Sequence, residues 1–217
     1  MLRKLASFFT YLMRHYLPDA YLFAILLTFI SAILALIFTP SDIMKVITTW
    51  GGGFYGIIAF AMQMILVLVT GYILALTPPM KKVLDWVATM ADTPVKGAMI
   101  VAFIGGVGSW INWGFGLIFA GLLALEVARR TKKADFPVLI GAAYSGFICW
   151  HMGFSSSIGL LLATPKAPQN LIEKLTGKIV PVADTIFATW NLIPAAIIIL
   201  GLPVLFYLIH PKEEDTI

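Results

Sequence analysis

Between Gly97 and Leu125 the chain runs for 29 residues without a charge, and basic residues close both ends. Lys96 stands before the run; Arg129, Arg130, Lys132 and Lys133 follow it. Wound as one helix, the run would be roughly 43 Å long, against a hydrocarbon core of roughly 30 Å. Two full crossings would need roughly 40 residues. Basic residues gather on the cytoplasmic side of membrane spans, so both ends belong on that side. The spacing therefore predicts a re-entrant helical hairpin, about residues 97–128, that dips into the bilayer and returns. Its tip falls near Gly108-Ser109-Trp110-Ile111-Asn112-Trp113-Gly114. Such backbone survives at membrane depth only where protein or a water-filled cavity surrounds it, and transporters bind solutes at such places.

The rest of the composition agrees with a bilayer as solvent. Of 217 residues, 60% are hydrophobic and 12% charged, where a soluble domain carries about 25% charge. The net charge of +4 does not point to nucleic acid, because the lysines and arginines sit at span ends rather than among aromatics on a polar face. The lone Cys149 has no internal disulfide partner and reads as a small buried hydrophobe. Arg3 and Lys4 could open a signal peptide, but the apolar run after them is too long and no small-residue cleavage pattern follows. The start reads as a retained anchor.

Leu2, Leu5, Phe9, Leu12 and Tyr16 recur at helical spacing among Arg3, Lys4 and Arg14, which predicts an interfacial amphipathic helix over 1–19. A transmembrane domain over 20–209 follows. Its first crossing is about Ala20 to Phe38, ending at the turn Thr39-Pro40-Ser41-Asp42. The second is about Phe54 to Leu76, between Gly51-Gly52-Gly53 and Pro78-Pro79. A short amphipathic stretch after Lys81 and Lys82 puts Val83, Trp86, Val87 and Met90 on one face. The hairpin comes next. The third crossing, about Phe136 to Thr164, holds Trp150-His151-Met152-Gly153-Phe154-Ser155-Ser156-Ser157 at its centre, which predicts a discontinuous helix with an arm on each side. A stretch of mixed charge, Pro165 to Asp184, places Leu171, Ile172, Leu175 and Ile179 on one side. The fourth crossing, about Thr185 to Ile209, has kinks expected at Pro194 and Pro203, and 210–217 is a polar cytoplasmic tail. The fold expected is thus all-α, with four crossings, one re-entrant hairpin and one discontinuous helix in a single membrane domain. With the N-terminus inside, eleven of the fifteen Lys and Arg fall on the cytoplasmic side and four outside, so both termini are expected in the cytoplasm.

No Asp, Glu, Lys or Arg lies in the core of any span. Glu126, near Arg129 and Arg130, reads as interfacial. An ion or anion site would therefore use backbone and neutral side chains. A broken helix supplies them: unpaired N–H groups open its second arm and unpaired C=O groups end its first. The N–H end attracts an anion, worth roughly 0.3–1 kcal/mol and up to ~2 when partly buried. The second arms start near Trp113-Gly114 in the hairpin and near Ser157 in the third crossing. Ser155 and Ser157 can cap that last arm or face a carboxylate. Asn112 offers both donor and acceptor, and Gly114 and Gly116 let backbone approach a ligand.

The candidate substrate-binding set is Asn112, Trp113, Gly114, His151, Ser155, Ser156 and Ser157; the candidate cation-binding set is Ser109, Asn112 and Ser155. Packing readings stand beside these. The serines could be small residues for helix contact, Asn112 a turn cap, and Gly105-Gly106 and Gly114-Phe115-Gly116 close-packing sites. Gln63, Thr70 and Asn191 read as interhelical hydrogen-bonding groups. His151 precedes Ser155 by four residues, a conceivable catalytic pair, but no third group orients the imidazole and no water path is visible. A site-lining or gating role and a packed, hydrogen-bonded one remain open for it.

Several stretches resemble the short-chain fatty acid transporter family, bacterial permeases associated with acetoacetate and butyrate uptake. They are Leu17-Pro18-Asp19 leading into Leu22-Phe23-Ala24; Met62-Gln63-Met64 with Val69-Thr70-Gly71; Ile111-Asn112-Trp113-Gly114-Phe115-Gly116-Leu117; Glu126-Val127-Ala128-Arg129-Arg130; Phe154-Ser155 through Ala163-Thr164-Pro165; and Pro181-Val182 with Asp184-Thr185. The Asn-Trp-Gly-Phe-Gly and Ala-Thr-Pro pieces are the more specific. Where this chain has Ser155-Ser156-Ser157, family members more often have Ser-Gly-Ser. The resemblance implies a non-enzymatic secondary transporter component for short-chain fatty acids in the cytoplasmic membrane. It implies sodium or a proton as coupling ion, with no cofactor or metal centre. It also implies kinship with the inverted-repeat ion transporter superfamily. Family members are about twice as long, so the chain resembles an N-terminal half, and a separate C-terminal half or second subunit is the expected partner beside the carboxylate and the lipid. The alternatives are a permease for dicarboxylates or other small organic anions, a non-transporting membrane scaffold, and an acyl-transferring enzyme using His151 and Ser155.

Overall fold

The computed structural model describes residues 2–131, 133–167 and 169–210, and among these all regular structure is helical. Among the described residues, five helical segments are long and apolar enough to cross a membrane: Ala20–Phe38, Ile43–Ala75, Pro94–Ile111, Phe136–Ala163 and Thr189–Ile209. The chain divides into two compact units, one up to Leu66 and one from Val67 onward.

The first unit holds α1 (Leu2–Tyr16), α2 (Ala20–Phe38) and most of α3 (Ile43–Ala75). Phe9, Leu12 and Tyr16 of α1 are exposed; the side chains of Leu2, Leu5 and Arg14 lie outside the described residues. Asp19 starts α2 by accepting from the Tyr21 N–H at 2.9 Å. No residue of α2 is buried, and all its leucines and phenylalanines are exposed. A helix apolar on every face is stable in that position only where hydrocarbon replaces water. Two hydroxyls turn back onto its own backbone: Thr28 donates to the Ala24 carbonyl at 2.8 Å, and Thr39 to that of Ala35 at 2.6 Å.

The second crossing differs from expectation. Helix α3 begins at Ile43, capped by Asp42 accepting from the Lys45 N–H at 2.7 Å, and runs unbroken through Gly51-Gly52-Gly53. Each glycine weakens a helix by about 1 kcal/mol. Opening the backbone in hydrocarbon costs several kcal/mol per unpaired group, so the helix continues.

The second unit starts with α4 (Pro78–Thr89). Its buried face is Leu84, Val87 and Ala88, while Val83, Trp86 and Met90 are exposed, so of the four residues expected on one face only Val87 packs inward. Helices α5 (Pro94–Ile111) and α6 (Trp113–Arg130) form an antiparallel pair joined through one extended residue, Asn112. Gly97 faces Val127, Gly105 faces Ala120, and Gly108 faces Gly116, which fixes the register. A Cβ on Gly116 would sit on the Ser109 nitrogen and the Gly108 carbonyl carbon, so the two backbones touch there. Ala98, Ala102, Ala120, Ala124 and Ala142 are fully buried, and this small-residue core draws the elements close.

At the open end of the pair, Arg130 binds Glu126 at 2.6 Å and Asp85 of α4 at 3.0 Å. These pairs hold the Arg130 guanidinium above its usual pKa, the Glu126 hydrogen bond contributing most. The Thr131 hydroxyl donates to the Ala91 carbonyl at 2.7 Å. Next come α7 (Phe136–Ser145), a 3₁₀ segment (Gly146–Met152) and, after a break, α8 (Ser157–Ala163). Short α9 (Leu171–Thr176) and a 3₁₀ turn (Val182–Asp184) lead to α10 (Thr189–Ile209), which passes through Pro194 and Pro203 as one helix. The predicted tail beyond His210, with Lys212, lies outside the described residues.

Candidate functional site

The hairpin tip and the helix break meet. Gly153 is extended and ends the first arm of the broken helix. A Cβ there would overlap the Trp110 carbonyl oxygen, so only glycine allows the approach. The next residue, Phe154, donates its N–H to that same Trp110 oxygen at 2.9 Å. Ser155 then accepts the Trp113 N–H through its hydroxyl oxygen at 3.0 Å. Two bonds therefore tie the last turn of α5 and the first of α6 to the break between the 3₁₀ segment and α8.

Each second arm is capped, the hairpin's by Asn112 and that of the broken helix by a serine other than those expected. Asn112 accepts the Phe115 N–H at 3.0 Å through its side chain, the capping role open to it from sequence. Ser156, not Ser155 or Ser157, caps α8, accepting the Gly159 N–H at 3.2 Å. The reason lies in reach: Ser155 faces the hairpin and is used there, leaving Ser156 at the position before the first helical residue. Asn112 and Ser155 thus occupy two donors of the α6 N-terminus, so an anion arriving there would exchange with the Ser155 hydroxyl.

Other expected residues fall as follows. Trp113 and Gly114 are buried, Gly114 against Val67. Ser157 and His151 are exposed. The His151 ring lies 3.6 Å from that of Trp150, centroid to centroid. Ser109 is fully buried, and its hydroxyl has no hydrogen-bond partner among the described residues; the same holds for the buried Trp110 Nε1 and Thr185 Oγ1. A buried polar atom left unpaired costs about 1–3 kcal/mol, so a guest's polar groups would find partners here, the Trp110 Nε1–H as a donor and the two hydroxyls as donors or acceptors. Cys149 is fully buried, as expected.

Asn191 proves more specific than an interhelical hydrogen-bonding group. Its Nδ2 donates to the Met152 carbonyl at 2.9 Å and to that of Ile186 at 2.8 Å. Met152 ends the first arm, so α10 supplies the partner for a carbonyl that the break sets free. Sequence reasoning missed the Trp110 carbonyl, Thr185 and this assignment. An amide alone in an apolar helix was the signal for Asn191; a main-chain acceptor leaves none.

A cleft of about 610 Å³ opens between α7, the 3₁₀ segment and α10, lined by Tyr144, Phe147, Ile148, Ile197 and Leu202 among others. A cleft of about 700 Å³ between α2 and α3 contains none of the expected site residues.

The comparisons with known proteins agree with one another. A family profile described as short chain fatty acid transporter matches residues 1–217. A protein of Escherichia coli (strain K12) is 41% identical over 217 residues, covering 100% of this chain and 48% of that protein. One from Haemophilus influenzae (strain ATCC 51907 / DSM 11121 / KW20 / Rd) is 39% identical over 219 residues, covering 100% of this chain and 49% of that protein. Both are named "Putative short-chain fatty acid transporter". The chain spans about half the length of these curated relatives. No solved structure matches it.

Proposed function

This chain belongs to the short-chain fatty acid transporter family, whose members are permeases rather than enzymes, and on that premise we propose that it is half of a cation-coupled carrier for small monocarboxylates such as butyrate or acetoacetate. The observation that carries the reading is the joint between the two breaks, Ser155 to Trp113 and Phe154 to Trp110. It brings a helix N-terminus, serine hydroxyls and helix-end carbonyls to one place without a charged side chain among them. A carboxylate would take the Trp113 N–H in place of Ser155, whose hydroxyl then donates to it. In this reading Asn112, Gly114, His151, Ser156 and Ser157 complete the binding set. A sodium ion or proton would neutralise the carboxylate beside Ser109, Asn112 and Ser155.

In this reading the chain crosses the inner membrane four times, and α5–α6 is the re-entrant hairpin, entering from the cytoplasm. Both termini are cytoplasmic, as the distribution of basic residues favours. The length shared with the relatives favours a second half, of opposite orientation, that supplies the matching hairpin.

Proteoliposomes holding this chain and such a second half test it. Labelled butyrate and acetoacetate should show saturable counterflow that a cation gradient stimulates, with succinate a poor competitor. Succinate competing as well as butyrate would favour the dicarboxylate alternative; no counterflow of any carboxylate would overturn the reading.

A further inference from the structure

The first arm of the broken helix finishes as a 3₁₀ helix, with three residues per turn, so residues three apart stand one above another. Tyr144, Phe147 and Trp150 are spaced in that way. The Phe147 and Trp150 rings stack at 5.6 Å and 11°, and Tyr144 lies 5.9 Å from Phe147. Trp113, on the other element, closes the ladder at 5.8 Å from Phe147 and 6.0 Å from Trp150. The ladder therefore begins at the residue whose N–H Ser155 holds and ends in the apolar cleft of about 610 Å³.

Polarity changes sharply along it. At the break are hydroxyls and helix-end amides. In the cleft the Ser145 hydroxyl is already bonded to the Ala142 carbonyl at 2.8 Å, and the other hydroxyl is that of Tyr144. The cleft is thus walled mainly by carbon, while the break carries the hydroxyls and helix-end amides. A molecule that fits both is a small amphiphile with one anionic end and a short hydrocarbon tail. We propose that Trp113, Phe147 and Trp150 form the wall that holds the alkyl tail of the transported carboxylate and so set its preferred chain length. This rests on the binding of carboxylate at the break argued above. A membrane acyl chain would also suit the cleft, but would have no use for the ladder's polar end.

The test is the affinity of this chain, reconstituted in nanodiscs together with its complementary second half, for acetate, propionate, butyrate, valerate and hexanoate, measured by calorimetry. Each methylene buried on the wall should tighten binding by roughly fourfold. Phe147→Ala and Trp150→Ala should flatten that series while leaving acetate within about twofold of wild type, and Phe147→Leu should restore part of the slope. A role in folding alone would weaken every acid equally. Retention of the full slope in both alanine variants overturns the wall but leaves carboxylate binding standing. Absence of binding by any acid overturns both. Methyl butyrate binding as tightly as butyrate also overturns the wall, since it marks a general apolar cleft.

Discussion

Ser155 does at the residue scale what no local capping pattern requires. Its hydroxyl reaches across 42 positions to hold the first N–H of α6. Ser155→Ala leaves that donor without its acceptor, at a cost of about 1–3 kcal/mol. The expected result is a lower melting temperature in detergent and a strong fall in butyrate uptake, with normal membrane insertion. Ser155→Thr keeps a hydroxyl and should recover much of both. Asn112→Ala removes a cap worth roughly 0.5–2 kcal/mol and should also cut uptake. Near wild-type uptake in Ser155→Ala and Asn112→Ala would reassign both side chains to packing. The identity of the capping serine was not legible in Ser155-Ser156-Ser157, because it depends on a partner on another element. That some polar cluster interrupts the third crossing was legible, since glycine and serine have little reason to gather in mid-span unless a helix stops.

At the scale of elements, the hairpin was readable from charge and length, and the structure gives it as an antiparallel pair turning at Asn112. Its placement in the bilayer is tested by labelling. Single cysteines at Lys96 and Arg129, both exposed, should react from the cytoplasmic face alone in a Cys149→Ala background. Labelling of the Arg129 position from outside would overturn the hairpin and invert everything after it. The backbone contact at Gly116 gives a second test. Gly116→Val forces backbone against side chain, and overpacking of this kind costs about 1–3 kcal/mol. It should lower the melting temperature more than Gly121→Val, where a Cβ meets nothing within 4 Å. The long α3 was misread because glycine counts against helix in water, whereas hydrocarbon penalises the broken alternative more. The 3₁₀ ending of the first arm carries no compositional mark, so the aromatic ladder it aligns could not be drawn from spacing alone.

For the molecule as a whole, the proposal is of half a carrier, a chain that spans about half the length of its curated relatives. The 217-residue chain reconstituted alone should give no carboxylate counterflow, and addition of a complementary second half should produce it. Saturable counterflow by the chain alone would point instead to a homo-oligomeric carrier. The central claim is that the carboxylate binds where the two breaks join, and substrate protection reads this most directly. Ser157 is exposed at the break, so Ser157→Cys in a Cys149→Ala background should react with a small membrane-impermeant thiol reagent. With both halves present, butyrate should slow that reaction saturably, and methyl butyrate should not. A labelling rate unchanged by butyrate, in a preparation that still transports it, would contradict the placement of the site.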